Sequence, residues 1–155
     1  MPTLALNKKA SFDFQLLEKY EAGLVLFGHE VKALRAGQAS IKGAYISIRT
    51  KNAVSELYLI GAQISLYKQA GQMPDYNQTR ERKLLLKKHE ISHLLGKNKE
   101  EGLTLIPLKI YTNHSFLKLE FAVAKGKKQY DKRESIKKRD VERQLRSLTK
   151  RGARV

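Results

Sequence analysis

The chain has 155 residues and carries 31 Lys and Arg against 15 Asp and Glu, a formal net charge of +16. Hydrophobic residues make up 41% of it, enough for one folded core, and no apolar run approaches the roughly 20 residues of a membrane helix. The absence of cysteine excludes disulfides, thiolate metal sites and a cysteine nucleophile. This charge predicts anionic partners: nucleic acid first, an anionic membrane or an acidic protein second.

Apolar and alternating stretches predict a mainly β domain. Strands are predicted over residues 24–31, 44–49, 56–64, 103–112 and 116–123. Gly28 and Pro107 indicate irregular points in the first and fourth of these strands, a bulge or close backbone approach at Gly28 and an edge or a bulge at Pro107. Helical spacing predicts one helix over 80–95, ended by Gly96, and a shorter one over 14–20. This set of elements, with no repeating β-helix-β pattern, favours a small antiparallel barrel or sandwich, with the oligonucleotide-binding type among the candidates.

The last 31 residues, 125–155, hold 13 Lys and Arg and 4 Asp and Glu, a net charge of +9. Their few aliphatic side chains are too sparse to offset the entropy of ordering the segment alone. Val141, Leu145 and Leu148 nevertheless share one face of a helix. We therefore divide the chain into an RNA-binding domain over 1–124 and a basic tail over 125–155 that is disordered alone and becomes helical with an anionic partner. The alternative is a tail that serves solubility only.

One enzyme motif is present. His89, Glu90 and His93 match the H-E-x-x-H pattern of zinc hydrolases, in which two histidines on one helix face bind the metal. The longer form of the motif would place its third ligand at Lys99, whose ammonium group cannot bind zinc. A surface helix is therefore the favoured interpretation, with no metal, no cofactor and no small-molecule substrate expected.

Three basic clusters favour RNA instead. Asn7, Lys8 and Lys9 form an amino-terminal arm, and Glu30, Lys32 and Arg35 follow a predicted buried strand. Glu30 could orient a cation for phosphate contact, or could accept a hydrogen bond from a base amino group or a ribose hydroxyl. The alternative is that Glu30 forms a structural ion pair. In the third cluster, residues 125–133, Tyr130 stands among cations, as stacking on an unpaired base requires; a tyrosine docked on the barrel is the alternative.

Four ordered motifs resemble a known family across almost the whole chain: N-K-K-A at 7–10, G-H-E-V-K-A-L-R-A-G at 28–37, T-R-x-R-K-L-L-L at 79–86 and A-K-G-K-K-x-Y-D-K-R at 124–133. The resemblance is to small protein B, the SsrA-binding proteins that act with transfer-messenger RNA in bacteria. Ala33 stands where the family usually has Ser, and Tyr130 where many members have His.

The resemblance implies a cytoplasmic, non-catalytic adaptor for trans-translation. It would have an oligonucleotide-binding-type barrel with flanking helices, would bind the tRNA-like domain of transfer-messenger RNA in place of the missing anticodon stem, and would deliver it to stalled ribosomes. Its tail would enter the empty mRNA channel near the decoding centre. The residues implied for transfer-messenger RNA are Asn7, Lys8, Lys9, Glu30, Lys32, Arg35, Lys125, Lys127 and Lys128. Those implied for ribosomal RNA, mainly of the small subunit, are Tyr130, Asp131, Lys132, Arg133, Lys137, Lys138 and Arg139. The rival classes are a structural ribosomal protein and a zinc hydrolase.

Overall fold

A computed structural model describes residues 2–100, 102–127 and 129–152, without the side chains of 129–132, 134–135 and 149–152. The strands are β1 Thr3–Leu6, β2 Phe14–Leu24, β3 Ala39–Ser40, β4 Tyr45–Lys51, β5 Val54–Ile60, β6 Gln63–Ile64, β7 Arg82–Leu85, β8 Leu103–Asn113 and β9 Phe116–Gly126. The helices are α1 Ala10–Asp13, α2 Gly28–Arg35, α3 Lys88–Asn98 and α4 Gln129–Gly152.

Six strands close into an antiparallel barrel. They lie in the order β8-β4-β5-β7-β2-β9, and β9 pairs back onto β8 to complete the ring. Strand β1 pairs with β8 outside this ring, opposite residues Lys109 to Tyr111. Strands β3 and β6 form a separate two-stranded sheet. The predicted small antiparallel barrel with flanking helices is therefore confirmed.

Alternate side chains of the strands point inward and fill the barrel. Leu119, Phe121 and Val123 of β9 are buried, and Leu57 and Leu59 supply the same core from β5. Helices α2 and α3 add to this core through side chains that are fully buried, Leu34 and Leu94. Both helices are thus fixed to the barrel by apolar burial, the main stabilising contribution in a domain of this size.

The long hairpin of β8 and β9 follows its sequence prediction. The register of the two strands shifts between Pro107 and Lys109, which is the irregularity that Pro107 indicated. The predicted strands over 44–49, 103–112 and 116–123 are each present. The first begins one residue later and ends two residues later than predicted, and the other two extend one and three residues further. The predicted strand over 56–64 is divided into β5 and β6, with Gly61 at a positive φ of 82° between them.

Two predictions near the amino terminus are wrong. Residues 14–20 are not a helix but the first part of β2, whose side chains alternate between partly buried and exposed positions and pair with β9. The predicted strand over 24–31 is instead the end of β2, a short link and the first half of α2. A short apolar run does not distinguish strand from helix by periodicity, so contacts from distant segments decide the structure here.

The predicted helix over 80–95 is only partly correct. Its first residues form β7, which joins β5 to β2 in the barrel, and the helix α3 begins at Lys88. Gly96 does not end this helix, which continues to Asn98. The barrel needs an extended segment between β5 and β2, and this tertiary demand outweighs the helical propensity of the run of leucines and lysines.

Helix α4 begins at Gln129, directly after the barrel, and carries Val141, Leu145 and Leu148 with their side chains exposed. Strand β9 extends to Gly126, two residues beyond the predicted boundary of the domain at 124. Among the described helices, none combines the length and the apolar character that crossing a bilayer would take.

The packing of Phe121 predicts a large effect on stability. Phe121 is fully buried and stacks on Tyr20 with ring centroids 5.7 Å apart. Phe121→Ala should lower the free energy of unfolding by about 3–5 kcal/mol in urea denaturation, because it removes a buried ring and leaves a cavity. Phe116→Ala is the matched control in the same strand: that ring is 68% exposed, so its loss should change stability by less than about 0.5 kcal/mol. Equal effects of the two variants would contradict this core assignment.

Candidate nucleic-acid interface

Helix α2 starts with a reciprocal contact between its first turn and the residue before it. Phe27 is the N-cap, and its backbone N–H donates to Oε1 of Glu30 at 2.9 Å while its carbonyl accepts from the N–H of Glu30 at 3.0 Å. Glu30 at this position satisfies an N–H that would otherwise lack a partner, and its charge suits the positive end of the helix dipole. The glutamate therefore fixes where the helix begins.

The same carboxylate is the centre of a buried ionic cluster. Glu30 and Arg82 are both 0% exposed, and Arg82 donates to Oε2 of Glu30 from Nε at 3.0 Å and from Nη2 at 2.7 Å. Arg80 donates to Oε2 from Nε at 3.2 Å and to Oε1 from Nη2. The hydroxyl of Tyr76 lies 2.9 Å from Oε2. Helix α2 is thereby joined to β7 and to the loop before it, about 50 residues away in the sequence.

Each nitrogen of the Arg82 guanidinium has at least one hydrogen-bond partner. Its Nη1 donates to the carbonyl of Ala62 at 2.6 Å and its Nη2 to the carbonyl of Gln78 at 2.9 Å. A buried charge is tolerated when it is paired and its hydrogen-bonding capacity is used in this way.

The cluster keeps Glu30 ionised. Burial by itself would raise the pKa of Glu30, but hydrogen bonds from Arg80, from the backbone N–H of Phe27 and from Arg82 outweigh it and lower the pKa to about 2. Burial, and then the hydrogen bond to Glu30, raise the pKa of the Tyr76 hydroxyl, which therefore stays protonated as a donor.

The position of Glu30 corrects its predicted role. A direct contact with RNA is not available in this conformation, because the carboxylate is fully buried and both oxygens accept from protein donors. Its partners are Arg80 and Arg82, not the Lys32 and Arg35 expected from the sequence. Successive helical residues are 100° apart, so Lys32 and Arg35 are directed away from Glu30 and lie exposed on α2. The Nη2 atom of Arg35 lies 3.5 Å from the carbonyl oxygen of Ser115.

The amino-terminal arm lies between β8 and α4. Asn7 donates its side-chain amide to the carbonyl of Pro107 at 3.0 Å, while Lys8 and Lys9 are exposed. Asn7 and Lys9 border a cavity of about 490 Å³ that also includes Lys42 and Tyr45. On its other side, Lys9 shares a second cavity with Lys8 and with residues of α4.

The predicted residues at the junction with the tail are in different environments. Lys125 is exposed at the end of β9, opposite Gln15 of β2. Lys127 donates its Nζ to the carbonyl of Ser11 at 2.8 Å, and its backbone N–H donates to the carbonyl of Asp13 at 3.0 Å. Lys128 lies outside the described residues.

The predicted tail residues lie along α4. Tyr130, Asp131 and Lys132 are helical in backbone, and their side chains lie outside the described part of the structure. Arg139 lies over the ring of Phe12, with the guanidinium carbon 5.6 Å from the ring centroid. The structure thus brings one tail cation to the amino-terminal arm, and the other predicted cations with described side chains are exposed: Arg133, Lys137 and Lys138.

The H-E-x-x-H residues are on the exposed side of α3. Nε2 of His93 lies 3.1 Å from Oε2 of Glu18, and the His93 ring is 6.3 Å from that of Tyr20. Within the described ranges, no three His, Asp or Glu side chains are grouped so that they could hold a metal ion.

Sequence reasoning missed Arg80, Arg82 and Tyr76 as parts of this region. A strand assignment would have placed Arg80 and Arg82 on one face, since residues two apart in a strand point the same way. The helix predicted over 80–95 contains both arginines instead, and residues two apart do not share a face in a helix. The pairing with Glu30 had no local signal.

The depressed pKa of Glu30 predicts a specific acid sensitivity. The free carboxyl has a pKa near 4.5 and the folded one about 2, so ionised Glu30 stabilises the fold above pH 4.5 and this contribution is lost as the pH falls towards 2. Glu30→Gln should be less stable than the parent chain by about 3 kcal/mol at pH 7, and the difference should shrink below pH 4.5 and vanish near pH 2. Denaturant unfolding at a series of pH values measures it.

Glu81→Gln is the control for this prediction. Glu81 pairs with Arg49 at the surface, where ion pairs contribute little to stability, so Glu81→Gln should change the free energy of unfolding far less than Glu30→Gln at pH 7. A pH-independent difference between Glu30→Gln and the parent chain would contradict the assigned charge state.

Comparison with known proteins assigns the family. The SmpB protein family model matches residues 4–151. An SsrA-binding protein of Syntrophobacter fumaroxidans is 50% identical over 145 residues, 94% of this chain and 87% of the relative. That of Thermosipho africanus is 47% identical over 153 residues, 98% and 99% of the two chains. A chain solved in "tmRNA-SmpB: a journey to the center of the bacterial ribosome" is 42% identical, superposes with a TM-score of 0.64, and is matched over 92% of its length and 84% of this chain. The barrel, its flanking helices and these similarities over nearly the full length show that the chain belongs to the SmpB protein family.

Proposed function

We propose that this protein binds the tRNA-like domain of transfer-messenger RNA and delivers it to stalled ribosomes for trans-translation. The observation that carries the proposal is the match, in sequence and in fold, to an SmpB chain solved in work on the ribosome with transfer-messenger RNA. The net charge of +16 supports an RNA partner, because cation–phosphate contacts supply most of the affinity for nucleic acid.

The barrel is the part that binds transfer-messenger RNA in this proposal. Its proposed contacts include the exposed cations Lys8, Lys9, Lys32, Arg35 and Lys125. Asn7, Lys127 and Lys128 complete the proposed set, of which Lys128 lies outside the described residues. Glu30 acts as a positioning residue: it fixes the start of α2 and so the direction in which Lys32 and Arg35 leave the barrel. The rigid body would take the place of the missing anticodon stem.

The basic tail is the part that enters the mRNA channel and meets ribosomal RNA of the small subunit. A helix of the 24 residues of α4 is about 36 Å long, enough to reach well beyond the barrel. Tyr130 would stack on a base near the decoding centre, with the neighbouring Asp131, Lys132, Arg133, Lys137, Lys138 and Arg139 around it. The exposed apolar side chains of α4 support a segment that is disordered in the free protein and is stabilised as a helix by this partner.

The protein would work by binding alone, as an adaptor and not an enzyme. The name of the relatives, SsrA-binding protein, describes binding and not a reaction, and the H-E-x-x-H histidine His93 is engaged by Glu18 at the surface. Its contribution to ribosome rescue would be the affinity and geometry with which it holds two RNAs together.

A competition titration tests the RNA partner. The labelled tRNA-like domain of transfer-messenger RNA is bound to the full chain at near-physiological salt, and an elongator tRNA or unlabelled tRNA-like domain is added as competitor. We expect the tRNA-like domain to compete at a concentration at least tenfold lower, since the barrel would overlap the anticodon stem of an ordinary tRNA. Equal, steeply salt-dependent competition by both RNAs would overturn the proposal and favour a general RNA-binding role, such as that of a structural ribosomal protein.

Removal of the tail tests the division of work. Deleting residues 128–155 leaves β9 and the contacts of Lys127 with α1 intact. The shortened protein should bind the tRNA-like domain within about tenfold of the full chain and lose ribosome rescue, measured as peptide tagging on a stalled ribosome in vitro. Near-complete loss of RNA affinity would show that the tail and the body do not have separate partners.

A further inference from the structure

We infer that Phe27 and Arg80 form a stacking site for one unpaired nucleobase of the RNA that the barrel binds. The site lies on the outer side of the Glu30 cluster, and neither Phe27 nor Arg80 was among the predicted RNA contacts. The inference rests on the proposed function, since it names a contact for that same RNA.

The two side chains already form a cation–aromatic pair. The guanidinium carbon of Arg80 lies 4.0 Å from the centroid of the Phe27 ring, which is the separation of stacked planar groups. Phe27 is nevertheless 53% exposed, so the contact with Arg80 leaves part of this side chain open to solvent. Part of a flat apolar ring is therefore available to a second planar partner.

Both groups are fixed before any ligand arrives. The guanidinium of Arg80 is held by both carboxylate oxygens of Glu30, and the backbone of Phe27 donates to the same carboxylate at 2.9 Å. The imidazole of His29 lies 5.8 Å from the ring of Phe27 and packs edge-on against Tyr76 at 4.6 Å. Binding here would lose little side-chain entropy, which raises affinity for a given contact area.

The surroundings suit a base. Phe27 and Arg80 line an open cavity of about 400 Å³ with Met73, Pro74, Asp75 and Asn77. Met73 and Pro74 offer apolar contact for the flat face, while Asn77 and Asp75 offer donor and acceptor groups for the edge of a base. Aromatic rings and arginine planes that stack unpaired bases are the usual means by which proteins hold single-stranded segments of RNA.

An unpaired base fits better than an apolar peptide side chain. The flat pair offers stacking, and the guanidinium of Arg80 adds positive charge at a cavity edge on a chain with a net charge of +16. An RNA loop brings a planar base and a phosphate together, and so can use the ring and the cation at once.

The fluorescence of a single introduced tryptophan can report contact between this site and a base. The natural sequence contains no Trp, so Phe27→Trp introduces one fluorophore at the site and keeps a stacking surface there. Titrating the tRNA-like domain into full-length Phe27→Trp should quench its fluorescence by at least half, with affinity within about threefold of the parent chain. Val54→Trp is the matched control: Val54 is 60% exposed in the β4–β5 hairpin, and its fluorescence should change little.

Affinity and its salt dependence separate stacking from charge. Phe27→Ala should weaken binding of the tRNA-like domain by about tenfold, a typical value for loss of one base–aromatic stack, and should leave the slope of log K against log salt unchanged. Lys32→Ala, which removes a cation, should reduce that slope by about 1. Thermal unfolding of Phe27→Ala serves as the folding control, since the ring is exposed.

The outcomes are distinct. Unchanged affinity of Phe27→Ala, or equal quenching of the two tryptophan variants, would overturn the stacking site while the parent chain still binds the tRNA-like domain. Failure of the parent chain to bind this RNA selectively would instead overturn the proposed function. Quenching of Phe27→Trp by an apolar peptide and not by RNA would assign the site to a protein partner and also overturn the inference.

Discussion

The carboxylate of Glu30 joins three parts of this molecule that the sequence keeps far apart. It satisfies the first turn of α2, it neutralises Arg82 inside the barrel, and it holds the guanidinium of Arg80 at the surface. A buried carboxylate between two arginines is stable only when every donor around it is in place, so the helix, β7 and the loop between β6 and β7 must form together. The surface that α2 presents therefore depends on a carboxylate that is itself fully buried.

In this arrangement, buried contacts make α2 rigid and exposed side chains carry its charge. The positions of the cations on α2 are set by buried contacts, while the cations themselves remain exposed and hydrated. A surface of this kind gains electrostatic attraction for RNA without repacking when the RNA arrives, so most of the binding energy remains as affinity. The basic helix α4 differs: its side chains Val141, Leu145 and Leu148 are apolar and exposed. In the proposed function, one chain would thus combine a preorganised surface with a segment that its partner stabilises as a helix.

The sequence predicts the barrel well where one strand pairs with its neighbour in the chain. Alternation in β4, β8 and β9 is local, and the bulge near Pro107 follows from the missing backbone donor of proline. The sequence does not predict α2 or β7 correctly, because the pairing of Glu30 with Arg80 and Arg82 spans about 50 residues and decides both elements. The exposed cations Lys32 and Arg35 could be predicted as candidate contacts from residue type and motif. The stack of Arg80 on Phe27 could not, since it requires the fold to be known.

The connection between barrel and tail is short: β9 ends at Gly126 and α4 begins at Gln129, with the intervening Lys127 hydrogen-bonded to α1. A tether of two residues confines the start of the helix to a volume only a few ångströms across once the barrel is bound. The local concentration of the tail near its own target is then in the millimolar range or above, as for short linkers generally. A weak interaction of the tail with RNA would therefore be nearly saturated after the barrel docks, and this short connection together with the length of α4 would set how far from the barrel that second RNA surface can lie.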